Sequence, residues 1–231
     1  MQHSTQLLEK INAGASPVSV EAVMFDFDGT LMNTIDIIVE SYQKTYRHFN
    51  LPEPSVEEIK FGIGRPLEAI FAQSSKELLP ELMQFYLNYN LQRTATHCGI
   101  FLGIIPMLKE LKNKGIPLGL VTAKRYENAI DTLEFFELKD FFSAIVTKYD
   151  TEKHKPDPEP LLLGRERLGL TNNEHVMYVG DAIYDIQAAH NGGFISVAVD
   201  WCSIPKATLS AENPTIWLDK ATHLPQIVKL K

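Results

Sequence analysis

At 231 residues, 45% of them hydrophobic, the chain is long enough for one large domain or for a core domain with an insertion, and apolar enough for a real core. A formal charge of −7 without a Lys/Arg-rich block argues against nucleic acid as a primary partner, and no apolar stretch reaches membrane-spanning length. Cys98 and Cys202 lie far apart without CxxC spacing and suggest neither a disulfide framework nor a zinc site; with an N-terminus too polar for a secretory signal, a cytoplasmic protein with reduced thiols is expected.

Residues 1–17 read as a leader, with a short amphipathic helix over Ser4 to Asn12 that Gly14 and Pro17 end; a surface helix or a loose segment is expected. The run Val20 to Phe25 then predicts a buried strand. After it, Thr34 to Thr96 shows no strand pattern. Instead Ile35, Ile38, Val39, Tyr42, Tyr46 and Phe49 share one helical stripe, and Leu82, Met83, Tyr86 and Leu87 another, which predicts a helical insertion over 34–98. Its hinges fall at Leu31 to Thr34 and Arg93 to Gly99. Beyond Gly99, helical patterns (Ile104 to Lys114, Tyr126 to Phe136, Pro158 to Leu168, Ile183 to His190) alternate with short apolar strands. The strands are Pro117 to Val121, Ser143 to Val146, Val176 to Val179 and Ile195 to Val199, with Thr215 to Leu218 weaker. Such alternation predicts an α/β fold, a parallel sheet covered by helices, formed by residues 18–33 and 99–231.

Four segments at predicted strand ends carry chemistry. Asp26-Phe27-Asp28-Gly29-Thr30 places two carboxylates where an open α/β sheet presents reactive groups, although an acidic turn has the same composition. Thr122, followed by Ala123 and Lys124, offers a hydroxyl to an anion or caps a turn. Lys155 precedes Pro156-Asp157-Pro158, where Asp157 as N-cap and Pro158 as first helical residue would hold the ammonium in a stiff loop. Asp181 follows Gly180, with Asp185 one helical turn on; this pair suits a hard cation or caps the helix.

Together these motifs, in this order, resemble the aspartate-nucleophile phosphohydrolases of the haloacid dehalogenase superfamily, over nearly the whole chain after residue 18. The resemblance implies a Rossmann-like core with the insertion as a helical cap. It makes Asp26 the nucleophile and Asp28 the acid and base, with Thr122, Lys155, Gly29 and Ala123 around the phosphoryl group. Mg²⁺ would be held by Asp26, the Asp28 carbonyl and Asp181, with Asp185 nearby. Counting four aspartates against Lys155 leaves about −3 on reference ionisation states, so a metal is required to admit a phosphate. Asp28 also argues against dehalogenase activity, because that branch lacks an acid there. Leu31-Met32-Asn33-Thr34 departs from relatives that carry an Asp-Ser pair at the last two positions, which loosens any transfer of substrate class.

Within the insertion, Phe61-Gly62-Ile63-Gly64-Arg65-Pro66 resembles the cap loop that faces the site in phosphoglycolate phosphatases and related pyrophosphatases. Gly64 and Arg65 are therefore candidate specificity residues, with a turn bearing a surface arginine as the alternative. The expected activity is Mg²⁺-dependent hydrolysis of a small phosphorylated metabolite, phosphoglycolate phosphatase-like, by a monomer or homodimer. A pyrophosphatase or nucleotidase of the same family is the nearest alternative, and a catalytically silent binding protein the alternative of another class.

Overall fold

A computed structural model of the chain describes residues 1–201 and 204–231, so the reading of Cys202 lies outside the described residues. The chain opens with β1 (Gln2–His3) and α1 (Ser4–Asn12), followed by β2 (Val18–Val20) and β3 (Ala22–Phe25). Past the Asp26 loop come β4 (Met32–Asn33) and four helices, α2 (Ile35–His48), α3 (Val56–Gly62), α4 (Leu67–Ser74) and α5 (Leu79–His97). The chain returns through β5 (Gly99–Ile100), which pairs antiparallel with β4, so the outgoing and returning strands run side by side. Helices and strands then alternate: α6 (Ile104–Asn113), β6 (Leu118–Val121), α7 (Tyr126–Phe135), β7 (Ala144–Val146), α8 (Glu159–Arg167) and β8 (Val176–Gly180). The rest is α9 (Ile183–Gly192), β9 (Ile195–Val199), α10 (Lys206–Ala211), β10 (Ile216–Leu218), α11 (Leu224–Ile227) and β11 (Val228–Leu230).

Seven strands form one parallel sheet in the order β1-β10-β9-β8-β3-β6-β7. Every residue of β3, β6 and β8 is buried, as strands covered on both faces require. Alternate residues of β3 serve different cores: Val23 and Phe25 join the cluster with Leu108 and Leu120, whereas Ala22 and Met24 join the one with Leu161 and Tyr178. Helices α2 to α5 bury a third cluster of their own, in which Tyr42, Phe71, Leu82 and Tyr86 are central. The helical stripe is its basis, since Ile35, Ile38, Val39, Tyr42 and Tyr46 are all buried.

Three local expectations are corrected. The leader is not loose, because β1 adds an edge strand beside β10 and α1 tucks Leu7 into the core. Asp219 fastens it by accepting from the Thr5 N–H and hydroxyl (both 2.8 Å) and the Ser4 hydroxyl (3.0 Å), while His3 lies 3.0 Å away. The strand expected over Val20 to Phe25 is two strands with different partners, β2 beside β11 and β3 within the main sheet. Helix α8 starts one residue later than expected. Pro158 is therefore its N-cap in place of Asp157, whose carboxylate, one residue further out, still accepts from the Glu159 N–H at 3.0 Å.

Candidate active site

Strand register brings the chemistry to one edge. Phe25 is level with Val179 of β8 and Leu120 of β6, so the residues that follow all three strands emerge together at their C-terminal ends. Asp26 is fixed there by its N–H to the Val179 carbonyl (2.9 Å), and Thr122 by its N–H to the Val146 carbonyl (2.9 Å). From the loop before α8, Lys155 reaches into the same place. Its ammonium donates to Asp185 Oδ1 at 2.6 Å, Asp26 Oδ1 at 2.8 Å and the Tyr178 hydroxyl at 3.0 Å.

Second contacts hold these groups in turn. The other oxygen of Asp185 accepts from the Ala182 N–H (2.9 Å), closing the first turn of α9, while Asp181 accepts from the Thr30 hydroxyl (2.9 Å). Gly29 has φ +82°, and a Cβ there would stand 2.1 Å from Asp181 Oδ2. Only glycine lets the Asp26 loop lie this close to β8. Thr122 Oγ1 accepts from the Lys124 N–H (3.2 Å), which leaves its hydroxyl proton free to donate towards the cavity.

Asp26, Asp181 and Asp185 each offer an oxygen within 4.8 Å of the others. Burial pushes the Asp26 carboxyl up to about 7; Lys155 opposes the rise, and Asp185 adds to it. Asp181 is driven well above the usual carboxylate range by burial first, then by Asp185 and Asp26. Burial disfavours the Lys155 ammonium, but Asp185 and Asp26 outweigh it and hold the amine charged. One ammonium among three buried carboxylates leaves negative charge uncompensated. An oxygen-only set of this kind fits a hard divalent cation, which supplies the missing charge.

Asp28 stands apart from that cluster. Its Oδ1 accepts from the Thr34 hydroxyl at 2.6 Å and pairs with the Lys124 ammonium at 2.9 Å. The charge count from sequence therefore omitted Lys124, which brings the total nearer to −2. Lys124 could have been noticed, two residues after Thr122. Thr34 fills the departing segment after Thr30 with a hydroxyl on the acid, a role that its departure from the usual pair concealed. Tyr178, which also donates to the Val121 carbonyl (2.9 Å), carried no sequence signal beyond its place in a strand.

Asp26, Asp28, Thr122, Ala123 and Lys124 line a cavity of ≈ 110 Å³ that Tyr42, Gly64, Arg65, Met83 and Tyr86 border from the insertion. Gly64, at φ +93°, brings its loop against Ala182 and Tyr184 at the start of α9, where an added Cβ would meet both at 3.5 Å. Arg65 thus faces the cavity, and among the described residues no carboxylate pairs with it.

The parallel sheet thus gathers an aspartate pair, a buried lysine and a second acidic pair at the C-terminal ends of its strands. The family model described as haloacid dehalogenase-like hydrolase matches residues 23–199, and the chain belongs to that family. A PpaX protein of Clostridium perfringens is 37% identical over 210 residues, covering 91% of this chain and 98% of its own length. Pyrophosphatase PpaX of Bacillus velezensis is 34% identical over 212 residues, covering 92% and 98%. Among solved structures, a haloacid dehalogenase-like family hydrolase from Streptococcus pneumoniae superposes with a TM-score of 0.77 at 26% identity, over 89% of this chain and 96% of its own.

Proposed function

We propose that the protein is a Mg²⁺-dependent phosphohydrolase in which Asp26 is the nucleophile and Asp28 the proton carrier. That it is a hydrolase of the phosphatase class follows from its family and relatives. The observation that supports the assignment is the convergence of Lys155, Asp185 and Asp26 within 2.8 Å contacts at the end of β3. Asp26 attacks phosphorus, forming an acyl-phosphate bond as the bond to the leaving oxygen breaks. Asp28, held by Thr34 and Lys124 to one side of the buried cluster, gives that oxygen its proton. It then takes a proton from the water that attacks the aspartyl-phosphate, and free Asp26 returns with orthophosphate. Lys155 and the Thr122 hydroxyl offset phosphoryl charge throughout. Asp26, Asp181 and Asp185, with the Asp28 carbonyl, would hold Mg²⁺, whose chemistry is to neutralise these carboxylates and draw charge from phosphoryl oxygens.

Domain division follows the same reading: residues 18–33 and 99–231 form the catalytic core, and 34–98 a cap that hinges at the β4–β5 pair and excludes water on closing. For the substrate, the PpaX names give inorganic pyrophosphate precedence over phosphoglycolate, and Arg65 is the cap residue set to meet a second acidic group. Assays with p-nitrophenyl phosphate and pyrophosphate test the assignment. Turnover should vanish with EDTA, return with Mg²⁺, and be absent from a folded Asp26→Asn variant. Full turnover in metal-free buffer, or by the variant, refutes it; inactivity on every phosphorylated compound favours a silent binding protein.

A further inference from the structure

Besides its reacting groups, the cavity holds a three-residue charge cluster at the seam between insertion and core. Glu68, in the first turn of α4, contacts the Lys148 ammonium through Oε2 and the Arg125 guanidinium through Oε1, the latter at 3.3 Å. Both cations belong to the core: Arg125 precedes α7, and Lys148 lies just beyond β7. The Lys148 N–H donates to the Lys124 carbonyl at 2.8 Å, which ties this cation's backbone to the Thr122 loop. The Tyr149 ring lies beneath both, 5.1 Å from Lys148 Nζ and 5.7 Å from the guanidinium carbon.

Two asymmetries give the cluster a function. Among the described residues a single carboxylate, Glu68, pairs with these two cations, so their charge is only half compensated. Further, the Lys148 side chain is only 8% exposed, whereas Glu68 at 30% and Arg125 at 34% have water to move into. We propose that Lys148, with Arg125 beside it, forms a subsite for a second anionic group on the substrate, and that Glu68 is its resident counter-anion, displaced when such a substrate binds. A dianionic group satisfies both cations better than one carboxylate does, while a substrate without one leaves Glu68 in place. Glu68 is thus a selectivity residue. This inference rests on the phosphohydrolase reading, which supplies the reacting end of the substrate.

The test is the ratio of kcat/KM for pyrophosphate to that for p-nitrophenyl phosphate, with phosphoglycolate as a third substrate whose second anion is a carboxylate. Glu68→Gln removes the competitor and should raise the ratio by about threefold or more, while Lys148→Met should lower it about tenfold, the low end for loss of a bond to a charged group. Arg125→Met, expected to lower the ratio too, serves if Lys148→Met does not fold. A parallel shift for phosphoglycolate shows that the subsite accepts carboxylates; a shift confined to pyrophosphate assigns it to phosphoryl groups. A purely structural seam contact would impair both substrates alike in each variant. An unmoved ratio, or a change in the same direction for Glu68→Gln and Lys148→Met, overturns the proposal. Persistent Asp26-dependent turnover of p-nitrophenyl phosphate would then show that only the subsite, and not the catalytic assignment, had failed.

Discussion

Replacing Gly180 by alanine tests the packing around Asp185. An added Cβ would stand 2.4 Å from Asp185 Cβ and 2.5 Å from its Cγ and Oδ2. Carbon contacts normally sit near ~3.5–4 Å, so Asp185 must retreat by roughly 1 Å. It has nowhere to go without loss: it is fully buried, one oxygen held by the Ala182 N–H and the other by Lys155. Overpacking of this size costs about 1–3 kcal/mol of stability. Because Lys155 touches Asp26 as well as Asp185, its displacement reaches the nucleophile; a misplacement of about 1 Å is worth roughly 10²-fold in turnover. Urea unfolding and p-nitrophenyl phosphate hydrolysis read the two effects. Gly169→Ala is the control. At φ +74° with nothing within 4 Å of an added Cβ, it strains the backbone alone and should leave turnover unchanged. Wild-type stability and turnover in Gly180→Ala would show that Asp185 is not packed as described and that Lys155 does not depend on it.

Two further expectations concern stability. Folding raises the Asp26 carboxyl from 3.8 to about 7 and moves Asp181 in the same direction, so the metal-free folded protein binds protons that the unfolded chain releases. That contribution is complete below pH 3.8 and lost as pH rises through about 7, so in chelator the urea midpoint should fall from about pH 5.5 to about pH 8, and Mg²⁺ should reduce the fall; a midpoint that climbs contradicts the assigned burial. Asp219→Ala removes the anchor of the N-terminal segment, where hydrogen bonds from Thr5 and Ser4 hold the Asp219 carboxyl low against its partial burial. It should cost about 1–3 kcal/mol in denaturant unfolding without affecting turnover, and an unchanged midpoint would show that residues 2–5 are not held there.

What sequence reveals here depends on how local the signal is. Strands β3, β6 and β8 were legible because each is an unbroken apolar run, and Asp26, Thr122 and Asp181 because each directly follows one. Two of the insertion's helices, α2 and α5, announced themselves by a 3.6-residue stripe, whereas the short α3 and α4 did not. Strands β1, β4 and β5 are two residues long, too short to carry any periodicity, and nothing in Val18 to Phe25 shows that Val18–Val20 pairs with β11 instead of the main sheet. Long-range pairings were illegible for a different reason. Lys124 on Asp28, Tyr178 on Lys155 and Glu68 on Lys148 join residues far apart in sequence; strand order brings the first two pairs together, and the seating of α4 against the sheet domain the third. The helix of the N-terminal segment was legible as Ser4–Asn12, but its attachment was not, because its anchor, Asp219, stands at the other end of the chain.

The central claim is that the buried Asp26 carboxylate bonds covalently to phosphorus. Acid quenching during turnover of p-nitrophenyl phosphate with Mg²⁺, followed by peptide mass spectrometry, examines that bond directly. One phosphoryl group on the peptide containing Asp26, absent from Asp26→Asn, is the predicted result. Rapid turnover with no phosphorylated peptide, or with the phosphoryl group on another residue, would contradict it.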